Sequence, residues 1–130
     1  MIVVDASVVV TALADDGDDG DRVRGRLRGE HLVAPHLLDI EVTSAWRRLM
    51  IAGDLDDRRA ALAIDDLRAL RVDRVPHGPL LERCWQLRGN LTLYDAVYVA
   101  LAEAMEAMLL TADRKLASSP GPRCPIELLR

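Results

Sequence analysis

The sequence contains no phenylalanine, and Trp46, Trp85, Tyr94 and Tyr98 are its only aromatic residues. The core must therefore be aliphatic, and a row of aromatic rings stacking against bases is not the expected way for this chain to hold nucleic acid. Cysteine is nearly missing. Cys84 and Cys124 show no CxxC and no repeated spacing, so neither a zinc site nor a disulfide framework has support, and both read as reduced thiols. No apolar run approaches the ~18 residues of a membrane span. The start, Met1-Ile2-Val3-Val4-Asp5, lacks a basic segment and meets an acid at once, so it reads as a core strand and not as a signal peptide. The expectation is a soluble, cytoplasmic chain with no membrane partner. Lysine is represented by Lys115 alone among seventeen basic residues, a pattern that with the abundant Ala, Arg and Asp suggests a high-GC genome. Excess positive charge is lacking too. A formal charge of −4 argues against a general basic nucleic-acid binder. It does not exclude a protein that meets phosphate through bound metal ions, which bring their own charge.

What is present is a chain of 130 residues, half of them apolar, which suits a single domain spanning residues 1–130. Ile2–Val4 is a β-branched run without alternation, as in a strand buried on both faces. A helix is expected over 6–14, an acidic loop over 15–21, and a short helix over 22–28 ended by Gly29. Leu32–Ala34 reads as a strand closed by Pro35. Helices follow over 37–50 and 56–70, then a strand over 72–75. Pro79 opens a helix to Arg88, Gly89-Asn90 breaks it, and 93–105 forms a strongly apolar helix. Strands over 108–110 and 126–129 flank a helical turn over 113–117. Strands alternating with helices predict an α/β class, as a three-layer α/β/α sandwich around a mostly parallel central sheet.

The informative residues are carboxylates in apolar surroundings. Glu41 falls in the row 37, 41, 45, 49, within a stripe of Leu37, Leu38, Val42, Ala45, Trp46 and Leu49. A buried carboxylate is costly unless paired or metal-bound, so Glu41 is either in a salt bridge, for example to Arg47 or Arg48, or a ligand. Asp95 is the only charged residue between Leu93 and Ala102. Thr92 and Asp95 also form a capping-box pattern, with Asp in place of Glu. Asp5 and Asp113 each follow an aliphatic strand and precede a helix, which suits an N-cap. It equally places them at carboxyl ends of strands, the edge where open parallel sheets bind ligands. Like charges converging there need a counter-charge, and Mg²⁺ or Mn²⁺ with their preference for oxygen ligands would supply it.

Other candidates are weaker. The acidic loop Asp15, Asp16, Asp18, Asp19 and Asp21 does not match a calcium loop and reads as solvated. His31, His36 and His77 lack metal spacing and read as structural or exposed. Arg22, Arg24, Arg26 and Arg28 admit contact with RNA or an acidic partner, and a solvated helix face fits them better. No Gly-rich phosphate loop is present, and Ser7 lacks a nucleophile-elbow context.

Ile-Val-Val-Asp-Ala-Ser at 2–7, Leu-Leu-Asp-Ile-Glu-Val-Thr-Ser-Ala at 37–45, Thr-Leu-Tyr-Asp-Ala-Val-Tyr-Val-Ala-Leu-Ala-Glu at 92–103 and Leu-Leu-Thr-Ala-Asp at 109–113 together resemble the PIN-domain family, most closely its VapC-type toxins of toxin–antitoxin modules. The resemblance implies a compact α/β/α fold and an endoribonuclease dependent on Mg²⁺ or Mn²⁺. It implies that Asp5, Glu41, Asp95 and Asp113 are the catalytic, metal-binding acids, with Ser7, Thr92 and Thr111 as supporting polar residues. Asp5, Asp95 and Asp113 are then expected as direct ligands, and Glu41 either ligates or acts through a water. Implied partners are the RNA substrate, a cognate antitoxin, a second copy in a homodimer within a larger toxin–antitoxin complex, and operator DNA only through the antitoxin. The alternatives are a non-toxin nuclease of the same family or a catalytically silent module that binds RNA or protein. Two other classes fit poorly. A haloacid-dehalogenase phosphatase would need Asp where Ser7 stands, and a phosphoacceptor receiver would need Asp where Pro76-His77 follow the third strand.

Overall fold

The computed structural model describes residues 1–129. Five strands lie at its centre: β1 (Ile2–Val4), β2 (Leu32–Pro35), β3 (Val72–Val75), β4 (Met108–Thr111) and β5 (Ile126–Leu128). Their order is β3-β2-β1-β4-β5, and every neighbouring pair is parallel. β1 and β2 are buried at each position, which is why their sequences carry no polar alternation. β3 is an edge strand, and there Asp73 is tolerated because one side of the strand meets solvent.

Helices α1 (Ala6–Ala14), α2 (Asp18–Leu27), α3 (Leu37–Ile51) and α4 (Asp57–Ala69) pack among themselves. Helix α5 (Leu81–Gln86) packs on α6 (Leu93–Ala104), and α6 lies against β1, β2 and β4. Helix α7 (Arg114–Ser118) joins β4 to β5. This is the expected α/β/α arrangement. In α6 every residue from Ala96 to Ala102 is buried, and its alanines let the helix approach the sheet closely.

The chain steps from β1 through β2 to β3 on one side, then crosses to β4 and β5 on the other. Connections leaving β1 and β4 diverge, which opens a crevice at their carboxyl ends. The register sets Val4 beside Leu110, and the Asp5 N–H donates to the Leu110 carbonyl at 3.0 Å. Asp5 and the segment Thr111–Asp113 therefore emerge side by side.

Two expectations need correction. The acidic segment is half helix, since α2 begins at Asp18. Asp18, Asp19 and Asp21 occupy its first turn, where carboxylates favour the positive end of the helix. Of the alternating arginines, Arg24 and Arg26 are braces, while Arg22 and Arg28 are exposed as a solvated face would have them. Arg24 donates to the carbonyls of Ala12 (2.9 Å) and Asp15 (2.7 Å), and Arg26 pairs with Glu30 and Glu127. Smaller differences are that the expected helix from Pro79 divides into a 3₁₀ turn (Gly78–Leu80) and the short α5.

Helix α2 also carries an internal contrast. A Cβ on Gly20 would sit 1.8 Å from the Asp15 carbonyl oxygen, whereas one on Gly25 would meet nothing within 4 Å. Gly20→Ala is therefore expected to destabilise the fold by about 1–3 kcal/mol through overpacking. Gly25→Ala is expected to stabilise it by about 0.5–1 kcal/mol through helix propensity. Urea midpoints at constant m-value test both, and shifts of the same sign would refute the packing assigned to Gly20.

Candidate active site

Asp5 caps α1 and is 6% exposed. Its Oδ1 accepts the Ala6 N–H at 2.8 Å, and its Oδ2 accepts the hydroxyls of Ser7 and Thr111, both at 2.8 Å. Each hydroxyl also receives a backbone proton from the segment after β4. Thr111 Oγ1 accepts from the Asp113 N–H at 3.0 Å, and Ser7 Oγ from the Ala112 N–H at 3.0 Å. A hydroxyl has one proton to give. Here it goes to Asp5 in both cases, so the pair locks the carboxylate's orientation and ties the end of β1 to the end of β4. Oδ1 accepts only the Ala6 amide among the described residues, so it retains acceptor capacity.

Asp113 caps α7, its Oδ1 accepting the N–H groups of Lys115 (2.9 Å) and Leu116 (3.4 Å). Its second oxygen has no hydrogen bond among the described residues, so capping leaves half of the carboxylate available. Asp95 is the third residue of α6. Thr92 caps that helix by accepting the Asp95 N–H at 3.1 Å. The reciprocal half of a capping box is missing among the described residues, because the shorter Asp side chain does not return to the backbone. The cap thus employs the amide of Asp95 and leaves its carboxylate for the rim.

Glu41 is half-buried, one turn into α3. The buried stripe of this helix is Leu38, Val42 and Trp46, while Leu37 and Leu49 are only partly covered. The row containing Glu41 is accordingly the shoulder of the stripe and not its centre. The salt bridge considered for Glu41 is not formed among the described residues: Arg47 is exposed and Arg48 donates to Ser44 at 3.2 Å. The residue that does stand beside Glu41 is Tyr98, whose buried hydroxyl is near enough to ease the Glu41 charge but meets no partner at full hydrogen-bond geometry among the described residues. Its sequence signal was faint, a tyrosine one turn beyond Asp95 in the apolar stretch of α6. His77, expected to be structural or exposed, is structural. Its Nε2 accepts the Leu37 N–H at 2.9 Å and so steadies the start of α3 across forty residues of sequence.

The acids feel one another. Burial pushes the Asp5 carboxyl up, the hydroxyls of Thr111 and Ser7 and the Ala6 amide pull it back, and the charge of Asp113 pushes again. Burial likewise raises Glu41, eased by Tyr98, reinforced by Asp5 and Asp95, and eased again by the charge of Arg48. Burial raises Asp95, reinforced by Asp5 and Asp113, with Thr92 and Lys115 easing it. Burial, then Glu41, pushes the Tyr98 phenol above its ordinary range. The charges of Asp5, Glu41, Asp95 and Asp113 thus act on one another at this edge, eased by Arg48 at Glu41 and by Lys115 at Asp95. Four carboxylates are the hard oxygen donors that Mg²⁺ and Mn²⁺ select. Among the described residues no three acidic, His or Cys side chains are close enough to form a ready-made metal cage. An open arrangement still fits Mg²⁺, which keeps several waters and typically takes one or two carboxylates.

These shifts have a sign. A carboxyl whose folded-state pKa is raised favours folding while protonated. That contribution is complete below the unfolded value, about 4 for Asp and Glu, and disappears as pH rises through the folded value. Asp95→Asn keeps the amide that Thr92 caps and removes one repelling charge. In EDTA at pH 7 the variant is expected to melt above wild type, with the gap closing toward pH 4. A gap independent of pH would refute mutual repulsion at the rim.

The PIN domain family model matches residues 2–121. Ribonuclease VapC1 of Mycobacterium tuberculosis is 48% identical over 129 residues, covering 98% of this chain and 97% of that protein. Among solved structures, PAE2754 from Pyrobaculum aerophilum is 30% identical with a TM-score of 0.66, over 96% of this chain and 81% of that one. VapBC2 from Rickettsia felis, bound to a DNA fragment from their promoter, superposes with a TM-score of 0.70 over 100% of both chains at 14% identity, a likeness of fold. The chain belongs to the PIN-domain family and, within it, to the VapC ribonucleases.

Proposed function

We propose that this chain is a metal-dependent endoribonuclease, the toxin of a toxin–antitoxin module, acting as one domain over residues 1–130 in the cytoplasm. The observation that supports it best is the shared rim: Asp5, Glu41 and Asp95 are pushed up by burial and by the acids around them, Asp113 among those acids. Such an arrangement is unfavourable for its own sake and becomes favourable when a divalent cation enters. The VapC ribonucleases of 48% and 43% identity support the same activity.

In this reading Asp5, Asp95 and Asp113 hold Mg²⁺ or Mn²⁺, and Glu41 joins them directly or through a water. The metal, when bound, supplies Lewis-acid charge that makes water a competent nucleophile and stabilises the leaving oxygen. The chain's own residues do the positioning. Ser7 and Thr111 aim Asp5, the Thr92 cap sets the start of α6 and with it Asp95, and Tyr98 stands behind Glu41 with a proton to give. Attack by water, not by the 2′-hydroxyl of the RNA, leaves 5′-phosphate and 3′-hydroxyl ends.

The proposal extends to partners: a cognate antitoxin that blocks the rim, a homodimer within a larger toxin–antitoxin complex, and operator DNA reached only through the antitoxin. Supporting the antitoxin is a groove of about 270 Å³ beside Glu41, lined by Leu37, Ile40, Arg48 and Tyr94. Ile40 and Tyr94 are 69% and 63% exposed. The Rickettsia felis neighbour, bound to promoter DNA as VapBC2, offers a precedent in the same fold.

Wild type is expected to cut a pool of structured cellular RNAs with Mg²⁺ or Mn²⁺, and to stop in EDTA. Folded Asp95→Asn is expected to be inactive with either metal. Thr111→Val, which unties Asp5 without removing an acid, is expected to slow cleavage about 10–100-fold, as for supporting contacts around a metal site. Ends carrying 2′,3′-cyclic phosphate would overturn the mechanism. A folded wild type inert on every RNA, with no metal-induced rise in melting temperature, would favour the silent binding module.

A further inference from the structure

The rim repels RNA as much as it attracts metal, and the chain as a whole carries −4. A substrate backbone therefore needs local cations. Most arginines with a defined contact are committed to carboxylates: Arg24 to Asp21, Arg26 to Glu30 and Glu127, Arg59 to Asp16, Arg74 to Asp39 and Arg83 to Glu103. Arg48, on the Glu41 side of the rim, donates to Ser44 instead, and Arg88 and Lys115 are likewise uncommitted. Both are exposed, and neither forms an ion pair among the described residues. They come from different parts of the chain, Arg88 just after α5 and Lys115 from α7, yet line one groove of about 360 Å³ together with Asn90, Thr92, Asp95 and Ser119.

Arg88 is held in place. Its guanidinium lies 4.4 Å from the centre of the Trp85 ring, and its Nη1 donates to the Trp85 carbonyl at 2.8 Å. The other guanidinium donors have no partner among the described residues. A pre-positioned arginine loses less freedom on binding than a free one. Lys115 is close enough to ease the charge on Asp95. The cations thus sit at the border of the acidic rim. Asn90 and Ser119 add neutral polar groups between them, suited to a sugar or a base edge.

We infer that this groove is a substrate subsite: Arg88 and Lys115 hold backbone phosphates next to the scissile one, in single-stranded RNA. The inference rests on the reading of the rim as a ribonuclease site. The strand preference follows from the size of the groove, which suits about one nucleotide lifted out of a stack. Arg88 and Lys115 are positioning residues here, since they touch the substrate away from the reacting atoms.

The test uses full-length Asp95→Asn protein, so that RNA is bound without being cut, and a fluorescent single-stranded RNA oligonucleotide. The logarithm of the affinity is followed against the logarithm of salt concentration. Each phosphate contact to a single strand contributes a slope of about 0.7, so Arg88→Ala with Lys115→Ala is expected to reduce the slope by about 1.4. The exchange Arg88→Lys with Lys115→Arg, which keeps both charges, is expected to restore it. Arg71→Ala, at the amino edge of the sheet before β3, is expected to leave it unchanged. With Asp95 intact, the double alanine variant is expected to lose kcat/KM chiefly through KM. If wild type cleaves RNA and the double variant keeps the full slope, the subsite is overturned. If duplex RNA of the same sequence shows an equal loss, the single-strand assignment is overturned while the phosphate anchor stands. If folded wild type cleaves no RNA with either metal and neither metal raises its melting temperature, the ribonuclease reading itself has failed.

Discussion

The hydrogen bond from Thr111 to Asp5 is the contact on which the rest of the site depends. It joins two residues 106 positions apart at 2.8 Å, inside a region where Thr111 is fully buried. A hydrogen bond to a charged acceptor contributes about 1.5–3 kcal/mol. Its geometry matters as much as its strength. The same hydroxyl accepts from Asp113, so one side chain orients one acid and the backbone of another. Ser7 repeats the device from the first turn of α1. Parallel pairing of β1 with β4 makes this possible, because it brings two strand ends to one edge in register.

Around that tie, the fold concentrates helix beginnings. Asp5 and Asp113 cap their helices, Asp95 lies in the first turn of α6 and Glu41 about one turn into α3. Unpaired N–H groups at helix starts favour negative charge nearby, which lets the rim retain acids that burial and mutual repulsion oppose. The arrangement still costs stability, a usual feature of sites kept ready for a cation. Aliphatic packing elsewhere offsets that cost. The β1 and β2 residues and the whole middle of α6 are buried, and the described helices include none long and apolar enough to cross a membrane.

Charge is distributed with the same economy. Arginines far from the rim are spent on braces: Arg24 joins α2 to the end of α1, and Arg74 joins β3 to α3 through Asp39. Few cations are left near the acids, and those that remain gain importance for anything anionic that approaches.

Much of this was legible in the residues. Unbroken aliphatic runs at Ile2–Val4 and Met108–Leu110 announce strands covered on both faces, since alternation appears only where one face meets water. Asp95 alone among apolar neighbours announces a buried helix carrying something other than core. The motifs around the four acids were enough for the family, and the alternation of strands and helices for the class. Other features were beyond linear reading. The 3.6-residue period placed Glu41 in an apolar stripe, but only packing shows that its row is the shoulder that faces the rim. The acidic segment looked like a loop because composition does not reveal that three of its carboxylates fall in a first turn. The partners of Arg24 and Arg26, the cap that His77 provides and the groove shared by Arg88 and Lys115 join residues far apart in the chain. Local composition and periodicity thus determined most of the strands and helices and which acids stand out among apolar neighbours, because those follow from residues a few positions away. Which acids lean on which hydroxyls, and which cations stay free, was decided only by tertiary structure, because hydrogen bonds and charges act through space and take no account of sequence separation.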